Sequence, residues 1–283
     1  MTPPFVPEWR NPLLILELVD DLRGKTVLLT GASTGLGPHI ARRLHREGAR
    51  LVLSARNEEA LTKLAKELGD ARVVVADLSR HGEPERLAKE AGEVHVLVSN
   101  AGVPASGRLV TFKVEHLDRA IAVNLRAGIV LARELAPAMI ARKQGHMVFM
   151  ASVAGKVPSP GFVVYTATKF GIRGFALALR EELWSTGVGV SVISPTFVSE
   201  AGMWAETGLK ANPMAAEVTP GRVAEAVLTA ITKNKAEVDV MRLPLRVSLK
   251  VMAVAPNLFM AGLRASGATR ASDAAGDRQT NKR

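Results

Sequence analysis

The sequence predicts an α/β fold: a doubly wound parallel sheet in a single domain. Three observations predict it. Short Val-rich runs bounded by turn residues recur along the chain, as strands buried on both faces require. Between them lie longer stretches of helical periodicity, so that strand and helix alternate as in right-handed βαβ units. The first strand leads into its helix through the glycine-rich turn Gly31-Ala32-Ser33-Thr34-Gly35-Leu36-Gly37. In that context glycines let a backbone approach a pyrophosphate, and the free amides of the helix start face it.

An N-terminal arm, 1–23, carries four prolines and a seven-residue apolar run at 13–19 that is too short to span a bilayer. The first strand is expected over 26–30 and the first helix from Pro38 to about Glu47, where a proline in the first turn costs no hydrogen bond. Strands follow at 50–54, 72–76 and 94–99, with helices at 58–68 and 84–91 between them. Ligands of such sheets bind at the carboxyl ends of the strands, so the residues there are informative. After the second strand stands Arg56 and no acid; with the Ser33 hydroxyl it suits a ribose 2′-phosphate, which argues for NADP(H) over NAD(H). Asp77 follows the third strand and is placed to accept a hydrogen bond from an adenine amino group. The fourth ends in the small, polar Asn100-Ala101-Gly102.

A long helical stretch, 114–143, contains Asn124 among apolar neighbours. A buried amide without partners costs about 1 to 3 kcal/mol, so a local break of the helix around it is expected. The fifth strand, 146–151, delivers Ser152. Thirteen residues later Tyr165-Thr-Ala-Thr-Lys169 opens a buried helix reaching about 186, and a sixth strand spans 188–194. A loop, 195–212, holds Met203 and Trp204 and is expected to be mobile; a helix at 219–233 and a strand at 237–241 close the domain at 241. Residues 242–265 form an apolar extension, broken by prolines and cations, whose expected use is packing over the site or against a partner subunit, ahead of contact with a membrane surface. The tail, 266–283, lacks large apolar residues and is expected to be disordered.

Composition narrows the function. With no Cys among 283 residues, disulfides, thiolate metal sites and cysteine nucleophiles are excluded; the six His and the carboxylates show no ligand spacing, so no metal is expected. The net charge of +10 is spread along helix faces without a dense basic tract, which argues against nucleic acid. A cytoplasmic protein is expected. Tyr165 and Lys169 lie one turn apart on a helix face. Bringing a phenol from its ordinary pKa of about 10 to near 7 takes roughly 4 kcal/mol. A cation about 4 Å away supplies about that much in a sheltered cleft, but only about 1 kcal/mol in water.

Together these motifs resemble the short-chain dehydrogenase/reductase family over about 24–241. Its Thr-Gly-x-x-x-Gly-x-Gly loop stands at 30–37, its Asn-Ala-Gly at 100–102, and its Asn, Ser, Tyr and Lys at Asn124, Ser152, Tyr165 and Lys169. The resemblance implies a Rossmann-type fold and carbonyl–alcohol interconversion. In it Tyr165 is the acid or base, Ser152 polarises the reacting oxygen, Lys169 lowers the Tyr165 pKa and binds the nicotinamide ribose, and Asn124 holds a relay water. It implies cofactor contacts at Gly31, Ser33, Thr34, Gly35, Leu36, Gly37, Arg56, Asp77, Leu78, Asn100, Ala101, Gly102, Tyr165, Lys169, Pro195 and Val198. It further implies a homodimer or homotetramer paired through the two long helices. The family's Pro-Gly-x-x-x-Thr after the sixth strand reads Pro195-Thr196-Phe197-Val198-Ser199-Glu200 here, which leaves the carboxamide contact without its Thr. An apolar substrate is expected from Val153, Val157, Phe162, Met203 and Trp204; the competing reading is a non-catalytic dinucleotide-binding sensor or scaffold.

Overall fold

The computed structural model describes residues 19, 21–209 and 217–278. Seven strands, β1 (Thr26–Thr30), β2 (Arg50–Ala55), β3 (Arg72–Val75), β4 (Val96–Ser99), β5 (Gly145–Met150), β6 (Val188–Pro195) and β7 (Glu237–Val240), form one parallel sheet in the order β3-β2-β1-β4-β5-β6-β7. β5 and β6 are buried along their whole length, as central strands covered on both faces must be. Helices α1 (Gly37–His45), α2 (Glu58–Leu68) and α7 (Pro220–Thr232) pack on one face around Leu29, Ile40, Leu61 and Val227. Helices α3 (Glu83–Ala91), α5 (Ala127–Ala141) and α6 (Val163–Glu182) pack on the other around Leu87, Leu131, Phe149 and Ile172. Between β1 and β4 the winding reverses, and a crevice opens there at the strands' carboxyl ends.

Local sequence explains the element ends. Asn57 caps α2 by accepting from the Ala60 amide at 2.9 Å, two acids follow in the first turn, and Gly69 ends the helix at φ +89°. The stretch 114–143 is three pieces: α4 (Val114–Ile121), a π-helical turn Ala122–Arg126, and α5. The wide turn turns Asn124 inward, where its amide donates to the Val103 carbonyl (3.0 Å) and accepts from the Val103 amide (2.7 Å).

Two expectations are corrected. Val19 and Leu22 are fully buried in the core, so packing begins before position 24; residues 1–18 and 20 lie outside the described residues. Beyond α8 (Leu243–Val254) and α9 (Pro256–Ala265), residues 268–277 of the tail expected to be disordered form a helix, α10 (Ala268–Asp277). This helix docks through small residues instead of large apolar ones. Ser272 donates to the Pro160 carbonyl at 2.6 Å, Ala275 is buried, and Gly276 packs so closely on Gly161 that a Cβ would sit 2.5 Å from its carbonyl oxygen. Residues 279–283 lie outside the description, as do 210–212 of the loop expected to be mobile. The described part of that loop is held by the Phe197–Trp204 ring contact (4.2 Å) and a bond from Trp204 Nε1 to Glu217 Oε1 (3.0 Å).

Candidate active site

The end of β1 and the end of β4 are braced into one unit. Thr30 Oγ1, fully buried, accepts from the amides of Asn100 (3.0 Å) and Ala101 (3.1 Å). The Asn100 side chain donates in return to the carbonyls of Thr30 and Gly31, both at 3.1 Å. Gly31 and Gly35 hold φ of +64° and +59°, a region side chains disfavour, and a Cβ on Gly37 would lie 2.2 Å from the Gly31 carbonyl oxygen. The turn therefore presents bare backbone to a cleft of about 950 Å3 at the winding reversal.

Ser152 leaves β5 in an extended conformation and caps a short 3-10 turn, Val153–Gly155, its hydroxyl accepting from the Ala154 amide at 3.2 Å. Gly155 lets that turn sit against α6, since a Cβ there would come within 2.7 Å of the Lys169 carbonyl oxygen. The Ser152 hydroxyl thus stands near enough to the Tyr165 phenol to pull its pKa down. Lys169, only 4% exposed, donates from Nζ to the Met150 carbonyl at 2.7 Å and stands 5.4 Å from the centre of the Tyr165 ring.

The electrostatics differ from the expected depression of the phenol. Burial pushes Tyr165 up to about 12, against the pull of the Ser152 hydrogen bond, and burial brings Lys169 down to about 8. The ammonium is tied to a backbone carbonyl and stands over the Tyr165 ring. Tyr165 is half-buried and keeps one side on the open cleft, so solvent relieves part of the upward push.

Of the residues singled out in the sequence, Gly31, Thr34, Gly35, Leu36, Arg56, Asn100, Ala101, Gly102, Ser152, Tyr165, Lys169, Pro195 and Val198 line the cleft. Ser33, Gly37, Asp77, Leu78 and Asn124 do not. Leu78 is buried in the core. The Asp77 carboxylate accepts from the Ser79 hydroxyl (2.7 Å); burial opposes its charge, but the Ser79 bonds and the nearby Arg56 and Arg119 outweigh it and hold its pKa below the ordinary value. All five residues expected to meet the substrate, Val153, Val157, Phe162, Met203 and Trp204, are in the wall. Sequence reasoning missed Arg119 of α4, whose position carries no motif, and the closing of the cleft by Ser272 and Ala275 of the tail, whereas Phe259 and Leu263 belong to the extension expected to pack over the site. For Phe259 and Leu263 the apolar extension was a signal; for α10 there was none. Among the described residues no cluster of His, Cys, Asp or Glu could hold a metal, and no helix is long and apolar enough to cross a membrane.

Residues 25–212 match the family model described as short chain dehydrogenase. The chain belongs to the short-chain dehydrogenase/reductase family. As a member it is an oxidoreductase acting between a carbonyl and an alcohol, with the Rossmann-type sheet the family implies. This short-chain dehydrogenase/reductase is 36% identical over 242 residues to the ketoacyl reductase HetN of a Nostoc species, across 83% of this chain and 84% of the relative. A metagenomic short-chain oxidoreductase in complex with NADP superposes with a TM-score of 0.66 at 36% identity, covering 77% of this chain and 97% of that one. A short-chain dehydrogenase from Sphingobium yanoikuyae in complex with NADPH gives 0.72 at 28% identity, covering 84% and 95%.

Proposed function

We propose that this enzyme is NADP(H)-dependent and interconverts a carbonyl and a secondary alcohol of an apolar substrate by hydride transfer. The observation that carries the reading is the meeting of Ser152, Tyr165 and Lys169 in one cleft with the bare glycine turn. The residues present fit the cofactor. Gly31 and Gly35 leave room for a pyrophosphate, Arg56 suits a 2′-phosphate, and Thr196 of the cleft wall carries a buried hydroxyl with no partner among the described residues. The NADP and NADPH complexes of two structural neighbours support the same assignment. When bound, the cofactor supplies or accepts the hydride.

The chain's own residues handle the proton. With its pKa raised, Tyr165 is protonated at neutral pH, the form a general acid needs to protonate a carbonyl oxygen. Ser152 steadies that oxygen by a hydrogen bond, and the Lys169 ammonium favours the phenolate left behind. That support fades as pH rises through about 8, where Lys169 loses its proton. Val153, Val157, Phe162, Phe259 and Leu263 in the wall support an apolar substrate. Pairing of copies through α4 and α6 is supported by exposed Ile121, Val163 and Phe170 on those helices, and sedimentation velocity measures the assembly.

Two measurements test the reading. NADPH and NADH are titrated in parallel, by cofactor fluorescence, into the parent and an Arg56→Ala variant. Tighter NADPH binding that weakens about 10- to 100-fold in the variant is expected from loss of one charge-assisted bond; equal binding of both cofactors sinks the NADP(H) assignment. Tyr165→Phe keeps cofactor binding and loses at least about 100-fold in turnover. Turnover near the parent rate would remove Tyr165 from the mechanism.

A further inference from the structure

Helices α8 and α9 carry apolar surface on two opposite sides. Leu245, Phe259 and Leu263 turn inward and line the cleft. Leu243, Val247, Val251, Val254 and Leu258, spaced by four, four, three and four residues, face outward; Leu243 is 70%, Val254 84% and Leu258 68% exposed. Within α8 such spacings put residues on one face. Single exposed Leu or Val residues are ordinary on a protein surface, but a row of four on one face of α8, with Leu258 exposed on the next helix, marks a contact.

The charge around the stripe selects its occupant. Residues 242–265 contain Arg242, Arg246, Lys250 and Arg264 and no Asp or Glu. All four cations are exposed. Arg242, Arg246 and Lys250 each precede a stripe residue by one position, so they run beside it as a parallel row about 100° further round the helix. Arg246 also donates to the Asp239 carbonyl at 3.3 Å, which ties the row to the end of β7. An apolar stripe edged by cations is the pattern of a helix lying in the interface of an anionic bilayer. A second copy of this chain would bring a second row of cations, and like charges across an interface oppose pairing. Lipid of opposite charge meets no such opposition.

We infer that α8 and α9 dock this protein on the surface of an anionic lipid bilayer, with the apolar stripe facing the acyl chains and the cation row at the headgroups. The inner side of the same helices lines the cleft, so docking sets the cleft beside the lipid and favours an amphiphilic substrate taken from it. That last consequence rests on the proposed function; the docking itself does not.

The test is co-sedimentation of the whole protein with vesicles of phosphatidylcholine alone and of phosphatidylcholine with phosphatidylserine, at low and high salt. Capture by the phosphatidylserine vesicles, reversed by salt, is expected. Arg242→Gln/Arg246→Gln/Lys250→Gln removes three cations worth roughly fivefold each, so partitioning falls on the order of 100-fold. Val251→Asp/Val254→Asp, a change confined to exposed positions, reduces capture to background with an unchanged melting temperature. Absence of capture of the parent at low salt overturns the inference, as does equal capture by both vesicle types or capture that neither variant alters. A dimer that Val251→Asp/Val254→Asp dissolves, without vesicle capture, assigns the stripe to a second copy and overturns it too. NADPH titration of each variant is expected to match the parent, which separates failure of docking from failure of the cofactor assignment.

Discussion

Acid should weaken this fold through one buried imidazole. His146, at the start of β5, is fully buried, with Nε2 2.8 Å from Ser191 Oγ. The Ser191 hydroxyl spends its hydrogen on the Lys235 carbonyl at 2.6 Å, so the imidazole must donate from Nε2 and leave Nδ1 bare. Among the described residues no partner meets Nδ1, and Gly189 is packed so tightly against it that a Cβ would lie 2.4 Å away. Burial first, and then the charge of Arg180, bring the His146 pKa down to about 3. In the unfolded chain it titrates near 6.5. Between those values the unfolded state binds the proton and the folded state does not, so stability falls as pH falls through 6.5. The loss is about 1.4 kcal/mol per pH unit, or about 2 kcal/mol at pH 5, against a total of about 5 to 15 kcal/mol for a typical domain. Urea unfolding of the parent and of His146→Gln, which keeps a donor but does not titrate, at pH 7 and pH 5 measures it. Contributions from the other titrating groups are common to both proteins and cancel. The parent should lose about 2 kcal/mol more than the variant over that interval. A difference below about 0.5 kcal/mol would mean that His146 is not held neutral in the fold.

Three further outcomes follow from the site. Thr30→Val preserves shape but leaves two backbone amides without an acceptor; a loss of about 2 kcal/mol in urea melts is expected, with weaker NADPH binding, whereas Thr30→Ser should keep the binding. Gly155→Ala drives a methyl into the Lys169 carbonyl, so about 1 to 3 kcal/mol of stability and most of the turnover should go together; a fully active variant would refute the role given to this contact. Glu200 sits at φ +64°, and Glu200→Gly should raise stability by about 1 kcal/mol, read as a higher melting temperature.

The strands were legible because Val-rich runs between turn residues have few other uses, and the helices because their periods were long. Asn124 was legible as an anomaly, and the π-turn that resolves it is the expected break. The Tyr165 pKa was not legible: spacing places Lys169 on the right helix face but cannot show how deeply the phenol is buried or that the ammonium is bonded to the Met150 carbonyl. Asp77 was read as a cofactor contact; the structure adds that Ser79, two residues on, bonds one of its carboxylate oxygens. The tail failed for a different reason. Disorder is inferred from missing large apolar residues, and α10 docks without them by bringing backbone against backbone at Gly161 and Gly276.

That seam also sets how the cleft wall moves. Contact between two glycines removes little apolar area from water, so each residue of α10 contributes far less to its own attachment than a residue of α5 or β6. The free energy to detach the helix locally is therefore a small fraction of that for unfolding the sheet, and its amides should exchange with solvent hydrogen first. The cleft that holds Ser152 and Tyr165 is thereby expected to open at its α10 side, on a frequency set by the size of two side chains that are not there.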